Sequence, residues 1–367
     1  MGKSMSMYDL LQLLIFFPVV TVMSAWLGKF MTRVFNGEHH LLKRPLGWLE
    51  RLLYGLSGVD AKAEMTAREY GKALLYFSLA GFVFLMLLQL LQFHLPLNPQ
   101  SRPAVPFLLA INTAVSFVTN TNWQAYSGEV TMSHFVQAFG LTVQNFLSAA
   151  AGLAVLLAVI RGFVRTNTNA IGNFWSDVIR SVVYVLLPLS LVLALILVSQ
   201  GVPQTWQQNP VVQSLDGSSQ IIPSGPVASQ LAIKQLGTNG GGFFGTNSAH
   251  PFENPTPLSN FIQMLAIILL PSSLVFMYGG MVGQKRQGYM IWLAMMSMLL
   301  AGLAATLYFE FSANPAFPGG PSLEGKELRF GIMNSDLWAV LTTCASNGSV
   351  NTMHSSLSPM EIGRAHV

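Results

Sequence analysis

Short stretches of threonine, asparagine, serine and glycine recur in this chain and offer neutral oxygen ligands. The first polar segment comprises Thr119, Asn120, Thr121, Asn122 and Gln124, the second Thr238, Asn239, Gly240, Gly241 and Gly242, and the third Ser346, Asn347 and Gly348. Glycine adopts positive φ at little steric cost and asparagine is the next most tolerant residue, so alternating φ can aim successive backbone carbonyls the same way. Rings of such carbonyls replace the hydration shell of a potassium ion.

The three consecutive glycines of the second segment have other readings. Taken alone, they favour a flexible linker. A phosphate-binding loop is excluded, because the Gly-x4-Gly-Lys-Ser/Thr pattern is absent and no lysine follows the glycines. The recurrence of similar stretches, each after a short apolar piece, favours ion coordination over both readings.

The composition indicates a membrane protein. Of 367 residues, 51% are hydrophobic and 9% are charged, whereas soluble domains carry about 25% charged residues. The single cysteine, Cys344, excludes a disulfide framework. The formal charge of +4 is too small and too dispersed to indicate nucleic acid binding.

Six apolar segments are long enough to span a bilayer. They are residues 8–28, 73–93, 135–160, 179–199, 258–280 and 289–308. No span carries a charged residue near its centre, so any transported ion must be coordinated by uncharged oxygens. Gln144 and Asn145 lie within the third span and are expected to hydrogen-bond between helices rather than bind an ion, although the backing of a polar segment would also suit them.

The distribution of lysine and arginine predicts the orientation. Residues 29–72, residues 161–180 and residues 285–286 are rich in these cations, whereas the loops at 94–134 and 200–257 carry one each. The positive-inside rule then makes the N-terminus and the polar segments extracytoplasmic. In the outer loops, Glu129, Asp216 and Glu253 either attract cations or solvate the loop.

Each outer loop repeats one plan, a short apolar stretch followed by a polar segment. The pattern predicts units of span, short helix, re-entrant polar loop and span. We divide the chain into an N-terminal helix with a basic cytoplasmic loop (1–72), pore repeat 1 (73–160), pore repeat 2 (179–280), a partial pore repeat 3 (289–360) and a tail (361–367).

Long strings around these segments resemble one family. They include "GLTVQNFLSAA" at 140–150, "GPVASQ" at 225–230, "LGTNGGGFF" at 236–244 and "HPFENPT" at 250–256. On these strings the chain resembles KdpA, the potassium-binding subunit family of the bacterial potassium-transporting P-type ATPase. The resemblance extends to about residue 351.

The resemblance implies an all-α polytopic fold with potassium-channel-like repeats around a pseudo-fourfold pore in the bacterial inner membrane. It implies that the three polar segments are filter strands for K⁺. It also implies that this chain has no ATP site and no catalytic site. ATP is then hydrolysed by a separate P-type subunit, KdpB, with KdpC and the small KdpF as further partners. The third segment departs mildly from the family, which often has Cys-Gly where Asn347 and Gly348 stand here.

Two departures concern the C-terminal end. The family's fourth repeat does not follow the third polar segment, and residues 361–367 equal the translation of a common sequencing adapter. We therefore expect a truncated chain with a non-native tail. Two other functions stay open: a potassium channel or symporter subunit, and a membrane enzyme or small-molecule binder. The second would need ionisable residues clustered at one depth.

Overall fold

The computed structural model describes residues 5–312 and 323–358. The chain forms two compact units, one comprising Arg33–Gly245 and the other the described residues of Met1–Thr32 and Thr246–Val367. Its helices are α1 (Met7–Phe35), α2 (Lys43–Ser57), α3 (Ala67–Leu90), α4 (Phe107–Val118), α5 (Gly128–Thr131), α6 (Val143–Val164), α7 (Phe174–Arg180), α8 (Leu187–Ser199), α9 (Val227–Leu236), α10 (Pro257–Met281), α11 (Lys285–Phe311) and α12 (Gly331–Cys344).

Six helices in the described ranges are long and apolar enough to cross a membrane, which confirms the predicted all-α polytopic class. They are Met7–Phe35, Ala67–Leu90, Val136–Val164, Phe174–Ser199, Pro257–Met281 and Lys285–Phe311. The third begins with a π-helical stretch, Val136–Thr142, and in the fourth a second one, Ser181–Leu186, joins α7 to α8.

Two spans begin earlier than the apolar pattern predicts because polar caps extend them. The predicted start of the second span at residue 73 is wrong, since α3 begins at Ala67. The Thr66 hydroxyl accepts from the Glu69 amide, and the Glu69 carboxylate accepts from the Thr66 amide, which is a capping box. Likewise, Asn173 caps the helix that begins at Phe174.

Small elements at both ends of the spans were not predicted. Strand β1 (Met65–Thr66) pairs antiparallel with β2 (Ala170–Gly172), and β3 (Val211–Gln213) pairs antiparallel with β4 (Ser219–Ile221). Helix α2, within the basic loop, was also missed, although its apolar residues recur with helical spacing.

The unit Arg33–Gly245 holds the first two short helices between spans. Helix α4 packs on α3 through a buried cluster that includes Leu85, Ala114 and Phe117. Helix α9 is buried over nearly its whole length, because Val227, Ala228 and Leu231 to Leu236 are all inaccessible to solvent or almost so. Helix α9 is thus enclosed by protein, as a non-spanning segment at membrane depth must be. Helix α4 buries one face and leaves Phe107, Leu108 and Val115 exposed.

The other unit has its own core. Phe16 of α1, Met264 of α10, Leu299 of α11 and Trp338 of α12 belong to one buried cluster. The third short helix, α12, is buried over most of its length, as α9 is, because Ile332, Met333 and Ser335 to Thr342 are all buried.

A buried ion pair ties three helices of the unit Arg33–Gly245 together. Arg161 near the end of α6 donates to both oxygens of Asp177 on α7, at 2.5 and 2.8 Å. The Tyr70 hydroxyl of α3 donates to the same carboxylate at 3.0 Å. The side chains of Arg161 and Asp177 are only 12% and 3% exposed, so neither charge has water as an alternative partner.

We predict that Asp177→Asn destabilises the protein by about 3–5 kcal/mol, because it leaves the Arg161 guanidinium buried without its counter-charge. Thermal unfolding in detergent measures the loss. The matched control is Glu64→Gln, which removes the ion pair between Glu64 and Arg165. These side chains are 48% and 34% exposed, so the pair is expected to contribute about 0–1 kcal/mol. Equal effects of the two substitutions would contradict this assignment.

Candidate functional site

Helix α4 ends in a turn that leads directly into the first polar segment. Asn120 has φ +61°, and its amide donates to the Phe117 carbonyl. The Thr121 amide donates to the Ser116 carbonyl at 3.0 Å. These two bonds around a left-handed residue form a Schellman motif.

Helices α9 and α12 end in the same turn. Thr238 and Ser346 have φ +51° and +52°, and the amides of Asn239 and Asn347 donate back to α9 and α12 at 3.1 and 2.9 Å. Glycine is the usual residue at this position, and a β-branched residue with positive φ is a genuine outlier. Strained residues of this kind cluster at functional sites, so the turn at Thr238 marks the second segment as more than a linker.

This shared turn corrects the register of the repeats. By residue type, Asn120 corresponds to Asn239 and Asn347, since each follows a threonine or a serine. The backbone instead makes Asn120 equivalent to Thr238 and Ser346, because these three carry the left-handed conformation. The first segment is therefore shifted by one residue, a difference that residue types alone do not reveal.

A second left-handed residue follows in each segment, two positions further along. Asn122, Gly240 and Gly348 have φ +58°, +78° and +84°, while the residue between the two left-handed positions has negative φ. Gly241 adds a further positive φ of +66°. Residues 120–122, 238–240 and 346–348 thus show the alternation expected for carbonyls that turn to one side, and Gly241 departs from it.

The side chains of the first two segments bind each other. The Asn239 amide group donates to Asn120 Oδ1, and Asn120 Nδ2 donates to the Thr238 carbonyl at 3.2 Å. Gly237 permits this arrangement, because a Cβ there would collide with Asn239 Oδ1. The two segments therefore form one rigid pair within the unit Arg33–Gly245.

Helix α6 braces this pair from one side. Asn145 Oδ1 accepts from Asn122 Nδ2 at 2.7 Å, and the Asn145 carbonyl accepts from Asn239 Nδ2 at 3.2 Å. The Ser148 hydroxyl donates to Asn120 Oδ1 at 2.8 Å. Asn145 thus backs the polar segments, which was the alternative reading of its position. Ser148 was missed, and its signal is its place one helical turn beyond Asn145.

Gln124 joins the far ends of the same two segments. Its Oε1 accepts from the Gly242 amide at 3.0 Å, and its Nε2 donates to the Gly242 carbonyl, also at 3.0 Å. Nε2 also donates to the Tyr126 hydroxyl at 3.0 Å. The Gln124 side chain thus pairs with both the amide and the carbonyl of Gly242, as a neighbouring β-strand would.

The third segment lies in the other unit and has its own braces. Asn347 Oδ1 accepts from the Ser349 amide at 2.8 Å. The indole of Trp338 donates to the Ser349 carbonyl at 2.8 Å, and the hydroxyls of Ser248 and Ser349 lie 3.3 Å apart. A fully buried tryptophan thus fixes the chain just beyond the segment.

The three acidic residues of the outer loops lie in different settings. Glu129 accepts from the Gly245 amide at 2.9 Å, just beyond the second segment. Asp216 sits in the exposed β3–β4 turn, where hydrogen bonds from Ser218 lower the pKa of its carboxyl group. Glu253 is buried, at 1% exposure. Glu129 therefore contacts the backbone just beyond the second segment. Glu253 accepts from the Ser248 hydroxyl at 3.3 Å, next to Ser349 just beyond the third segment.

Only neutral groups form the three polar segments. Within residues 5–312 and 323–358, no cluster of three or more histidine, cysteine, aspartate or glutamate side chains could hold a metal ion. The acceptors offered are backbone carbonyls, hydroxyls and the Oδ1 atoms of Asn122 and Asn239, which have no hydrogen-bond partner among the described residues. Such ligands suit a weakly hydrated monovalent cation rather than a transition metal.

Comparison with known proteins agrees with this class, a polytopic helical membrane protein. The profile of the potassium-transporting ATPase A subunit family, KdpA, matches residues 14–365. The chain belongs to this family.

Three relatives show how much of the family's length is present. Each is named potassium-transporting ATPase potassium-binding subunit. The protein from Pseudomonas aeruginosa is 53% identical over 361 residues, covering 97% of this chain and 64% of the relative. Those from Listeria welshimeri and Solidesulfovibrio magneticus are 53% and 52% identical, with 64% and 65% of the relative covered. The chain thus spans a little under two thirds of the length of the relatives it matches.

We predict that Gln124→Leu loosens the second segment, because the buried amide and carbonyl of Gly242 both lose their partner, at a cost of about 1–3 kcal/mol. Hydrogen exchange of the peptide containing Gly242 should accelerate. The control is Gln204→Leu, which removes two similar hydrogen bonds between Gln204 and Ser229 that are exposed to water. Unchanged exchange at Gly242 in Gln124→Leu would show that the hydrogen bonds of Gln124 do not hold the second segment.

Proposed function

We propose that the polar segments of this chain bind K⁺ in a carbonyl-lined selectivity filter, as part of the longer protein to which the family belongs. The observation that carries the proposal is the threefold recurrence of one backbone turn. Asn120, Thr238 and Ser346 each end a short helix in a left-handed conformation, and each is followed two residues later by another positive φ. Neutral side chains accompany every turn.

The short helices add a favourable field for a cation. Helices α4, α9 and α12 all run so that their C-termini meet the polar segments. The C-terminus of a helix carries partial negative charge from its unpaired carbonyls. A K⁺ ion at the segments would gain this attraction without a fixed negative charge that would trap it, which is what conduction requires.

The hydrogen bonds around the segments explain how a strained backbone keeps the geometry that K⁺ selectivity needs. A left-handed Thr238 persists only where its surroundings over-determine it. Asn145, Ser148 and Gln124 supply that constraint through hydrogen bonds to the first two segments. Binding then exchanges the hydration shell of K⁺ for carbonyls that are already in place.

We further propose the topology that the charge pattern predicts. The N-terminus and the polar segments face the extracytoplasmic side of the bacterial inner membrane, and the basic loops face the cytoplasm. Pore repeats at 73–160, 179–280 and 289–360 then present one filter strand each. The fourth strand belongs to the part of the longer relatives that this chain does not cover, and the tail at 361–367 lies outside the described residues.

In the complex, this subunit would be non-catalytic. Its relatives are named as the potassium-binding subunit of an ATPase, which supports ATP hydrolysis by a different polypeptide. We propose the P-type subunit KdpB as that partner, with KdpC and KdpF completing the assembly. K⁺ would enter from outside, shed water at the filter and pass through the subunit toward KdpB.

We predict that Gly241→Asp in the full-length protein raises the K⁺ concentration needed for half-maximal ATPase stimulation, while complex assembly is retained. Gly241 has φ +66°, and an added Cβ would lie 3.0 Å from the Asn122 carbonyl oxygen. The substitution would disturb both paired segments and place a carboxylate beside the ion.

The control for this experiment is Gly217→Asp. Gly217 also has positive φ, +82°, but an added Cβ there meets nothing within 4 Å. It therefore reproduces the backbone strain and the added charge in an outer loop, away from the segments. An unchanged K⁺ dependence in Gly241→Asp would contradict the filter assignment.

A further inference from the structure

Helix α2 has one face fixed to the protein. The Glu50 carboxylate accepts from Arg180 at 2.9 Å and from the Tyr184 hydroxyl at 2.6 Å. The Tyr54 hydroxyl lies 2.8 Å from that of Ser176. Burial tends to raise the pKa of Glu50, but the hydrogen bonds from Tyr184, Arg180 and Tyr54 outweigh it and hold the pKa below its usual value. The anchoring carboxylate is therefore charged at neutral pH.

These contacts set the depth of α2. Ser176, Arg180 and Tyr184 lie in the first turns of the membrane-capable helix Phe174–Ser199. A helix fixed beside these turns lies at the boundary between the bilayer and water, not in bulk solvent. The basic residues around it mark the same end of the spans.

The opposite face of α2 is apolar and uncovered. Trp48, Leu52 and Leu56 recur every fourth residue, on one side of the helix, and are 57%, 47% and 77% exposed. Leu41, just before the helix, is 79% exposed. A tryptophan and leucines on one face of a helix at this depth are typical of an interfacial amphipathic helix.

Cations accompany this face. Lys43, Arg44 and Arg51 are exposed on α2. Lys43 Nζ donates to the Gly37 carbonyl at 3.5 Å. In the part of the chain that the structure describes, Arg44 and Arg51 have no hydrogen bond or ion pair. These two arginines thus present positive charge with no protein partner, complementary to phosphate groups.

We propose that α2 is an interfacial anchor that docks on the anionic lipid surface. Lys43, Arg44 and Arg51 bind phospholipid phosphates, while Trp48 and the two leucines enter the boundary between headgroups and acyl chains. The fixed face transmits this docking through Glu50 to the start of the helix Phe174–Ser199. The proposal needs only that the protein is in a bilayer, so its test is independent of ion binding.

Depth measurement by spin labelling tests the docking. The full chain carries Cys344→Ser, which removes its only cysteine, and a nitroxide is attached at Leu52→Cys or, as the control, at exposed Ala63→Cys. In nanodiscs of mixed phosphatidylcholine and phosphatidylglycerol, we expect the Leu52 label to be accessible to oxygen and protected from a water-soluble nickel chelate. The Ala63 label should be accessible to the chelate.

Charge dependence provides the second arm. The triple variant Lys43→Gln, Arg44→Gln and Arg51→Gln, or nanodiscs of phosphatidylcholine alone, should shift the Leu52 label by about tenfold or more toward the water-exposed state. The matched variant Lys62→Gln, Arg68→Gln and Lys72→Gln removes three exposed cations outside α2 and should leave the label docked.

Three outcomes would overturn the proposal. One is chelate access to Leu52 in the anionic nanodiscs. Another is protection of Leu52 from both reagents, which would mean that protein rather than lipid covers the face. The last is an equal shift of the Leu52 label in both charge variants, which would mean that the cations of α2 attract anionic lipid no more than other basic residues do.

Discussion

A single backbone constraint organises the site: a left-handed residue that ends each short helix and begins each polar segment. Asn120, Thr238 and Ser346 occupy this position, where glycine would be easier. The conformation turns the chain out of the helix while the preceding carbonyls stay bonded, so the next residues are extended beside the helix C-terminus. Everything that could coordinate an ion depends on the chain taking this turn.

The surroundings of the turn make it persist. In the unit Arg33–Gly245, Asn145 and Ser148 of α6 and the side chain of Gln124 hold the first two segments to each other. In the other unit, Trp338 holds the chain beyond the third segment. The spanning helices therefore act as a rigid framework that positions polar side chains. They do not supply charged ligands for the ion.

Much of this architecture follows from the sequence. Apolar length predicts the six spans, and the stretches before the polar segments predict α4, α9 and α12, because a ten-residue apolar helix cannot cross a bilayer. The register of the first segment could not be predicted, since three residue types, Asn, Thr and Ser, occupy the left-handed position in this chain. The pairing of Gln124 with Gly242 joins residues far apart in sequence, so no local pattern encodes it. Helix α2 was not predicted, because its basic residues led to its assignment to a cytoplasmic loop.

The most direct measurement is of the carbonyl groups themselves. Full-length protein labelled with ¹³C at the carbonyls of Gly240, Gly241 and Gly242 would be compared in K⁺ and in Na⁺ by solid-state NMR. We expect these carbonyl signals to change between the two ions, while the signal of the Gly217 carbonyl, in the β3–β4 turn, stays the same. Carbonyl signals of the second segment that are identical in both ions, in protein that still binds K⁺, would contradict ion coordination by these carbonyls.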